Sequence, residues 1–184
     1  MNFRDIEYLK AGTDKQKLCY RILKEIKVLD VLYDYNPIVV GTIPIAIDVD
    51  ESDIDIVCCA EDLPEIRDVV RLHYSTYNMF SDRLRDVYVA NFEHSGLPIE
   101  IYAESRSTLD QNGYRHMVVE DRIMKLAGDG FRQKIIRLKE QGYKTEPAFG
   151  ELLNLENPYS DLLEFELLTN DELKLLIKNK HIPE

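Results

Sequence analysis

The chain has 184 residues, 45% hydrophobic and 31% charged, a composition that predicts one globular domain, with or without a helical extension, and excludes a disordered chain. Its net charge of −11 disfavours a long nucleic acid as partner, because an acidic surface repels a phosphate backbone. Three cysteines in apolar stretches, no apolar run of membrane length and no signal-peptide pattern lead us to expect a cytoplasmic protein without a membrane span.

Apolar periodicity predicts an α/β first half. Leu18, Ile22 and Ile26 lie on one face of a helix that Thr13 can cap, and Asn36-Pro37 ends it. The predicted elements in chain order are a helix over 14–33, strands over 38–41 and 53–59, a helix over 63–74, and strands over 75–80, 84–92 and 97–103. The turn between the last two strands is His94-Ser95-Gly96.

The second half is predicted to be helical. Helical spacing of apolar residues begins near Gly113, and the predicted helices cover about 113–127, 131–141, 148–155 and 171–180. We therefore divide the chain into an α/β core over 1–104 and a helical extension over 105–184 that packs on it. The expected fold class is α/β, a mixed sheet flanked by helices with a helical C-terminal portion.

Two carboxylates follow the first predicted strand at a fixed spacing. Side chains alternate along a strand, so Asp53 and Asp55 project from the same face, about 6.6 Å apart. Two adjacent carboxylates repel unless a cation lies between them, and Mg²⁺ prefers such oxygen ligands. Gly41 ends the preceding strand and lets the backbone approach a phosphate, and Thr42 adds a hydroxyl and an N–H.

A third carboxylate is expected from a neighbouring strand. Glu100 lies between two isoleucines in a strong strand pattern, where an acid needs a partner. It can bind a second metal ion or act as general base toward an acceptor hydroxyl. The alternative is a wet edge strand with acids directed outward, and Glu104 is the substitute if the register is shifted. For Asp53 and Asp55 the alternative is likewise that they are acids directed toward solvent at the start of a strand.

The sequence Gly41-Thr42, ten further residues, Asp53-Ile54-Asp55 and a later strand acid resembles the signature of the polymerase-β-type nucleotidyltransferase superfamily. The fuller pattern resembles a bacterial family known only as a domain of unknown function. The matching stretches are residues 41–44, 52–58, 114–117 and 142–149. Relative to the superfamily pattern, Thr42 replaces the usual serine and Glu100 the more frequent aspartate.

The resemblance implies a nucleotidyltransferase that uses Mg²⁺ or Mn²⁺ held by Asp53, Asp55 and Glu100. It would transfer a nucleoside monophosphate from an NTP to a small-molecule or protein acceptor. One alternative is a catalytically inactive protein of this fold that binds a nucleotide or acts as a toxin–antitoxin-type partner. Another is a structural interaction domain whose acids are ordinary surface residues.

Basic residues in the second half are candidates for neutralising a triphosphate. We predict nucleotide-binding roles for His116 and Lys144, the latter because a loop with Gly142 and Pro147 is suited to presenting a side chain. A single histidine is more often structural, and the segment from Thr145 to Pro147 also fits a helix cap. Lys125 fits an ordinary surface lysine better than a ligand-binding residue.

Overall fold

The computed structural model describes residues 2–179, which form two compact units. Within these residues the N-terminal unit runs to Ala46 and resumes over Glu51–Tyr114, and the C-terminal unit comprises Ile47–Asp50 and the chain from Arg115 onward. The units part inside a helix, because its first turn belongs with the sheet: Gly113 lies against the side chains of Val40 and Val57. The two domains predicted over 1–104 and 105–184 stay a prediction.

The first helix of the N-terminal unit is shorter than predicted. Helix α1 spans Asp14–Ile26, and it begins with the capping box in which Thr13 and Gln16 satisfy each other's backbone N–H groups. Lys27 then adopts a left-handed conformation with φ 53°, and the four-residue helix α2 follows over Val28–Val31. The uninterrupted helix predicted over 14–33 is therefore wrong. The break accompanies burial of Val28 and Leu32, which lie within the core of this unit.

Five strands form one mixed sheet in the N-terminal unit. The elements are β1 Ile38–Val40, β2 Ile54–Cys59, α3 Leu63–Tyr74, β3 Asn78–Leu84, β4 Tyr88–His94 and β5 Leu97–Glu104. The strand order is β1-β2-β5-β4-β3, in which β2 and β5 are parallel and the other pairs antiparallel. The strands predicted over 75–80 and 84–92 begin later, at Asn78 and Tyr88, and the turn at Ser95-Gly96 is confirmed by two positive φ values.

Alternation along the strands separates an apolar face from one on which polar and apolar side chains are mixed. On β2 and β5 the side chains of Ile54, Ile56, Ile99 and Ile101 are buried in the core shared with α1 and α3. Asp55 and Glu100 project from the opposite face and are partly buried, and the buried Val40 and Val57 share that face with them. The sheet thus places these two carboxylates on the face opposite its main core.

The C-terminal unit is built from helices. Helix α4 spans Asn112–Ala127, and it is followed by α5 Asp129–Glu140, α6 Thr145–Leu153, α7 Pro158–Glu164 and α8 Asn170–Asn179. Helix α7 has no counterpart in the prediction. Lys180, where the last predicted helix ends, lies outside the described residues. No helix within residues 2–179 is both long enough and apolar enough to cross a membrane.

Candidate active site

Strand register brings Asp55 and Glu100 side by side. Asp55 pairs with Val40 of β1 on one side and with Glu100 of β5 on the other. Directly paired residues of neighbouring strands project from the same face, and the strands lie about 4.8 Å apart. Glu104 pairs instead with Cys59 at the far end of β2, so the register favours Glu100 over its predicted substitute. Asp53 immediately precedes β2 and is partly buried.

Gly41 allows the carboxylate of Asp55 to lie directly against the backbone that follows β1. A Cβ atom at position 41 would lie 2.2 Å from Asp55 Oδ2, much closer than any side chain tolerates. Gly41 also has φ +82°, a conformation that L-residues rarely adopt. The glycine is therefore required twice, by the backbone conformation and by the contact with Asp55.

The loop that connects Gly41 to Asp53 is fixed at both ends by hydrogen bonds. The Thr42 hydroxyl donates to Ser52 Oγ at 3.1 Å, which ties the start of the loop to its end. The buried Gln16 side chain donates to the carbonyl oxygens of Ile43 at 2.9 Å and Pro44 at 3.1 Å. The Thr42 hydroxyl thus already has a partner within the loop, and its predicted contact with a phosphate stays a prediction.

Glu100 is the electrostatically perturbed member of the set. Burial raises the pKa of this carboxyl, and the negative charge of Asp53 raises it further, whereas the guanidinium of Arg83 lowers it. Asp53 and Glu100 are therefore close enough to interact electrostatically. A bound cation would favour the ionised form of Glu100.

The donor set suits a hard divalent cation, although no metal cage is preformed. Mg²⁺ is commonly held by one or two carboxylates together with phosphate oxygens and water. Asp53, Asp55 and Glu100 supply oxygen donors of this kind. Across residues 2–179, no group of three or more His, Cys, Asp or Glu side chains is arranged so that it could hold a metal ion. Any cation held by these residues would therefore need further ligands, such as phosphate oxygens and water.

His116 lies in the C-terminal unit with both ring nitrogens engaged. Its Nδ1 is 3.1 Å from Glu146 Oε1 and its Nε2 is 2.9 Å from the carbonyl oxygen of Tyr159. Both partners are acceptors, so both contacts are hydrogen bonds only if the ring is the imidazolium. Burial lowers the pKa of His116, but the bonds to Glu146 and Tyr159 outweigh it and the net pKa is raised. This geometry gives His116 a structural role, and its nucleotide role stays a prediction.

The other basic candidates divide into exposed and paired residues. Lys144 is exposed and precedes α6, where it occupies the cap position without a side-chain capping bond. Thr145 is the first residue of α6, so the predicted threonine cap is wrong. Lys125 pairs with Asp121 and Arg115 with Glu166, which gives both a structural partner. The predicted role of Lys144 at a triphosphate stays a prediction.

Sequence reasoning missed three residues that support the glycine loop or lie beside the carboxylates. Gln16 had a usable signal, because the pattern Thr13-x-x-Gln16 is a capping box. Ser52 offered only its place beside Asp53. Arg83 offered no signal, since its proximity to Glu100 depends on the pairing of three strands.

The family described as Domain of unknown function (DUF4269) matches residues 21–165. The chain belongs to this family. No curated protein matches the chain. The description of the family names no activity, so it adds none to the geometry.

Solved structures share the fold at low sequence identity. A cytoplasmic RNA terminal U-transferase aligns over 80% of this chain and 43% of its own, with 12% identity and a TM-score of 0.54. Cid1, described for its RNA terminal uridylyl transferase activity, aligns over 77% and 48%, with 12% identity and a TM-score of 0.57. The polymerase core of TRAMP, an RNA surveillance complex, aligns over 90% and 57%, with 15% identity and a TM-score of 0.50.

These alignments confirm the predicted fold class, a nucleotidyltransferase-like α/β fold with a mixed sheet flanked by helices. The chain spans about half the length of the solved structures it matches. At this identity the likeness concerns the fold alone.

Proposed function

We propose that the protein is a metal-dependent nucleotidyltransferase that moves a nucleoside monophosphate from an NTP to a small-molecule or protein acceptor. The observation that carries the proposal is the juxtaposition of Asp55 with both Gly41 and Glu100 on one face of a sheet with this fold. Asp53 adds a third carboxylate within electrostatic reach of Glu100.

Each residue has a distinct role in the proposed reaction. Asp53 and Asp55 would hold a Mg²⁺ or Mn²⁺ ion, which would supply charge neutralisation at the phosphates. The backbone at Gly41 and Thr42 binds the triphosphate. These assignments follow from carboxylate and amide chemistry and from the position of the glycine beside Asp55.

Glu100 is assigned the role of general base toward the acceptor hydroxyl. Its carboxylate accepts the proton of the acceptor hydroxyl as the hydroxyl oxygen bonds to the α-phosphorus of the NTP. The bond between the α-phosphorus and the bridging oxygen breaks, and pyrophosphate leaves with the electron pair. A carboxyl whose pKa is raised by burial is a better base near neutral pH than an ordinary glutamate.

The comparisons support this chemistry at the level of fold. Two of the matched structures are of the Cid1 poly(U) polymerase with MgGTP or MgATP bound. Those proteins are described as acting on RNA, whereas the charge of −11 on this chain opposes a long polyanion. A small molecule or a protein side chain is therefore the acceptor we propose.

Thermal stabilisation by nucleotides tests the proposal. The wild type is heated with Mg²⁺ and each NTP in turn, and the same series is run on Asp53→Asn and on the control Asp86→Asn, which alters an exposed turn. We expect stabilisation by at least one Mg–NTP in the wild type and the control, and its loss in Asp53→Asn. Equal stabilisation of all three proteins would refute the assigned site.

The second candidate is a protein of the same fold that binds a nucleotide without turnover, as a sensor or a toxin–antitoxin-type partner. It is favoured by the arrangement of the acidic side chains, since no group of three or more His, Cys, Asp or Glu side chains among residues 2–179 is placed to hold a metal ion. Pyrophosphate release with a panel of acceptors separates the two. Nucleotide binding without release, with the physiological partner present, supports the second candidate.

A further inference from the structure

Polar side chains continue from Glu100 across the sheet toward its edge. Glu100 pairs with Asn91 of β4, and Asn91 pairs with Ser81 of β3, so these three residues project from one face. Arg83, two residues after Ser81 on β3, shares that face. We call Asn91, Ser81 and Arg83 the outer row. All three are exposed to solvent.

Arg83 is available to bind a ligand. Its guanidinium makes no hydrogen bond and no ion pair with any residue over 2–179, and its positive charge acts on Glu100. On the opposite face of the same strand, by contrast, Asp82 is in an ion pair, with 2.7 Å between its Oδ2 and the Nε of Arg71. A planar guanidinium with free N–H groups binds phosphate and carboxylate groups through paired hydrogen bonds.

The outer row lies on the side of the carboxylates opposite the glycine loop. Gly41 contacts Asp55 from β1, whereas Glu100, Asn91 and Arg83 follow on β5, β4 and β3. If the triphosphate binds beside Gly41 and Thr42, the acceptor approaches Glu100 from the side of the outer row. Arg83 is then within reach of a group attached to the acceptor, because an arginine side chain extends about 7 Å from its Cα.

Resting on the proposed function, we infer that the acceptor carries an anionic group near its reacting hydroxyl and that Arg83 binds this group. Phosphate and carboxylate share the required chemistry, a pair of oxygens that accept from the guanidinium. Neutral hydrogen-bonding groups come from Asn91, on the strand between Arg83 and Glu100, and from Ser81, beside Arg83 on β3. A cationic acceptor would instead meet the repulsion of Arg83.

Calorimetry with three small probes tests this inference. Glycerol 3-phosphate, glycerate and glycerol are each titrated into the full chain with Mg²⁺ and a non-hydrolysable analogue of the stabilising NTP. The proteins are the wild type, Arg83→Gln and the matched control Arg85→Gln, which removes the same charge from an exposed position two residues on. Thermal stability with and without Mg–NTP is recorded for each variant.

We expect the wild type and Arg85→Gln to bind glycerol 3-phosphate or glycerate about five- to tenfold more tightly than Arg83→Gln does. Comparison of these two probes shows whether phosphate or carboxylate is preferred, and glycerol should bind all three proteins equally weakly. Equal affinities in Arg83→Gln and Arg85→Gln, or no preference of the wild type for an anionic probe, overturn the inference. Stabilisation by Mg–NTP in the same samples shows separately whether the proposed function stands.

Discussion

Glu120 offers a quantitative test of the helical unit. Its side chain is on α4, only 4% of the residue is exposed, and Oε1 has no hydrogen-bond partner in the described part of the chain. Burial raises the pKa of this carboxyl, the nearby Glu146 raises it further, and His116 and Lys139 oppose the change. The resulting pKa is about 8, compared with an ordinary value of 4.5. Folded protein at neutral pH thus holds Glu120 protonated.

The sign and size of the effect follow from proton linkage. Between pH 4.5 and about 8 the folded protein retains a proton that the unfolded chain releases, so the free energy of unfolding falls as pH rises. One pH unit in this window corresponds to about 1.4 kcal/mol, so the free energy of unfolding falls by at most roughly 3.5 kcal/mol between pH 4.5 and pH 7. Glu120→Gln cannot ionise, so its free energy of unfolding does not fall in this way as pH rises. We expect it to be more stable than the wild type by about 1–3 kcal/mol at pH 8 and similar to it near pH 4.5.

Urea denaturation between pH 4.5 and 8.5 measures the difference directly. The control is Glu151→Gln, which makes the same chemical change at an exposed position on α6. Its free energy of unfolding should follow the wild type across the range. Thermal unfolding should show the same trend, at about 2–4 °C per kcal/mol for a chain of this size.

Two results would refute the reasoning. If Glu120→Gln is less stable than the wild type by a constant amount at every pH, the carboxyl makes a favourable contact that the glutamine loses. If the two proteins have parallel pH profiles without an offset, Glu120 ionises as an ordinary carboxyl and is not enclosed as described.

Three further predictions concern the elements around the candidate site and the histidine. Gly41→Ala should be less stable than the wild type by about 1–3 kcal/mol and should no longer be stabilised by Mg–NTP, because its Cβ clashes with Asp55 and φ is positive. The control Gly130→Ala, in a helix with open space around it, should be more stable by up to about 1 kcal/mol. Equal effects of the two substitutions would argue against the contact. Gln16→Ala should cost about 1–3 kcal/mol in urea denaturation, since two loop carbonyls lose their donor, and an unchanged midpoint would contradict this. His116→Gln should have a lower free energy of unfolding than the wild type, and the difference should be largest below pH 6.5, where the imidazolium is fully formed. The difference should shrink as pH rises through the raised pKa of His116. A difference that does not depend on pH would exclude a charged pair with Glu146.

Local patterns in the sequence predicted much of the sheet and one end of the first helix. The alternation over 53–59 and 97–103 placed Asp55 and Glu100 on strands with their isoleucine neighbours buried, as the structure shows. The cap at Thr13 was likewise predictable, since capping depends on residues within one turn. These features depend on the period of the chain and on contacts between near neighbours.

Other features of the elements depend on tertiary packing. The break at Lys27 and the helix Pro158–Glu164 depend on which surfaces pack against the rest of the chain, and local propensity does not report that. Sequence alone also gave no indication that Glu120 would be enclosed with its carboxyl protonated.

The sequence by itself determined the chemical types in the candidate site and the faces on which they lie, because alternation is a property of a single strand. Only the tertiary structure decided that Asp55 lies between Gly41 and Glu100 and that Arg83 stands two strands beyond Glu100. Strand pairing joins residues more than 40 positions apart, and its register is set by the packing of the whole sheet.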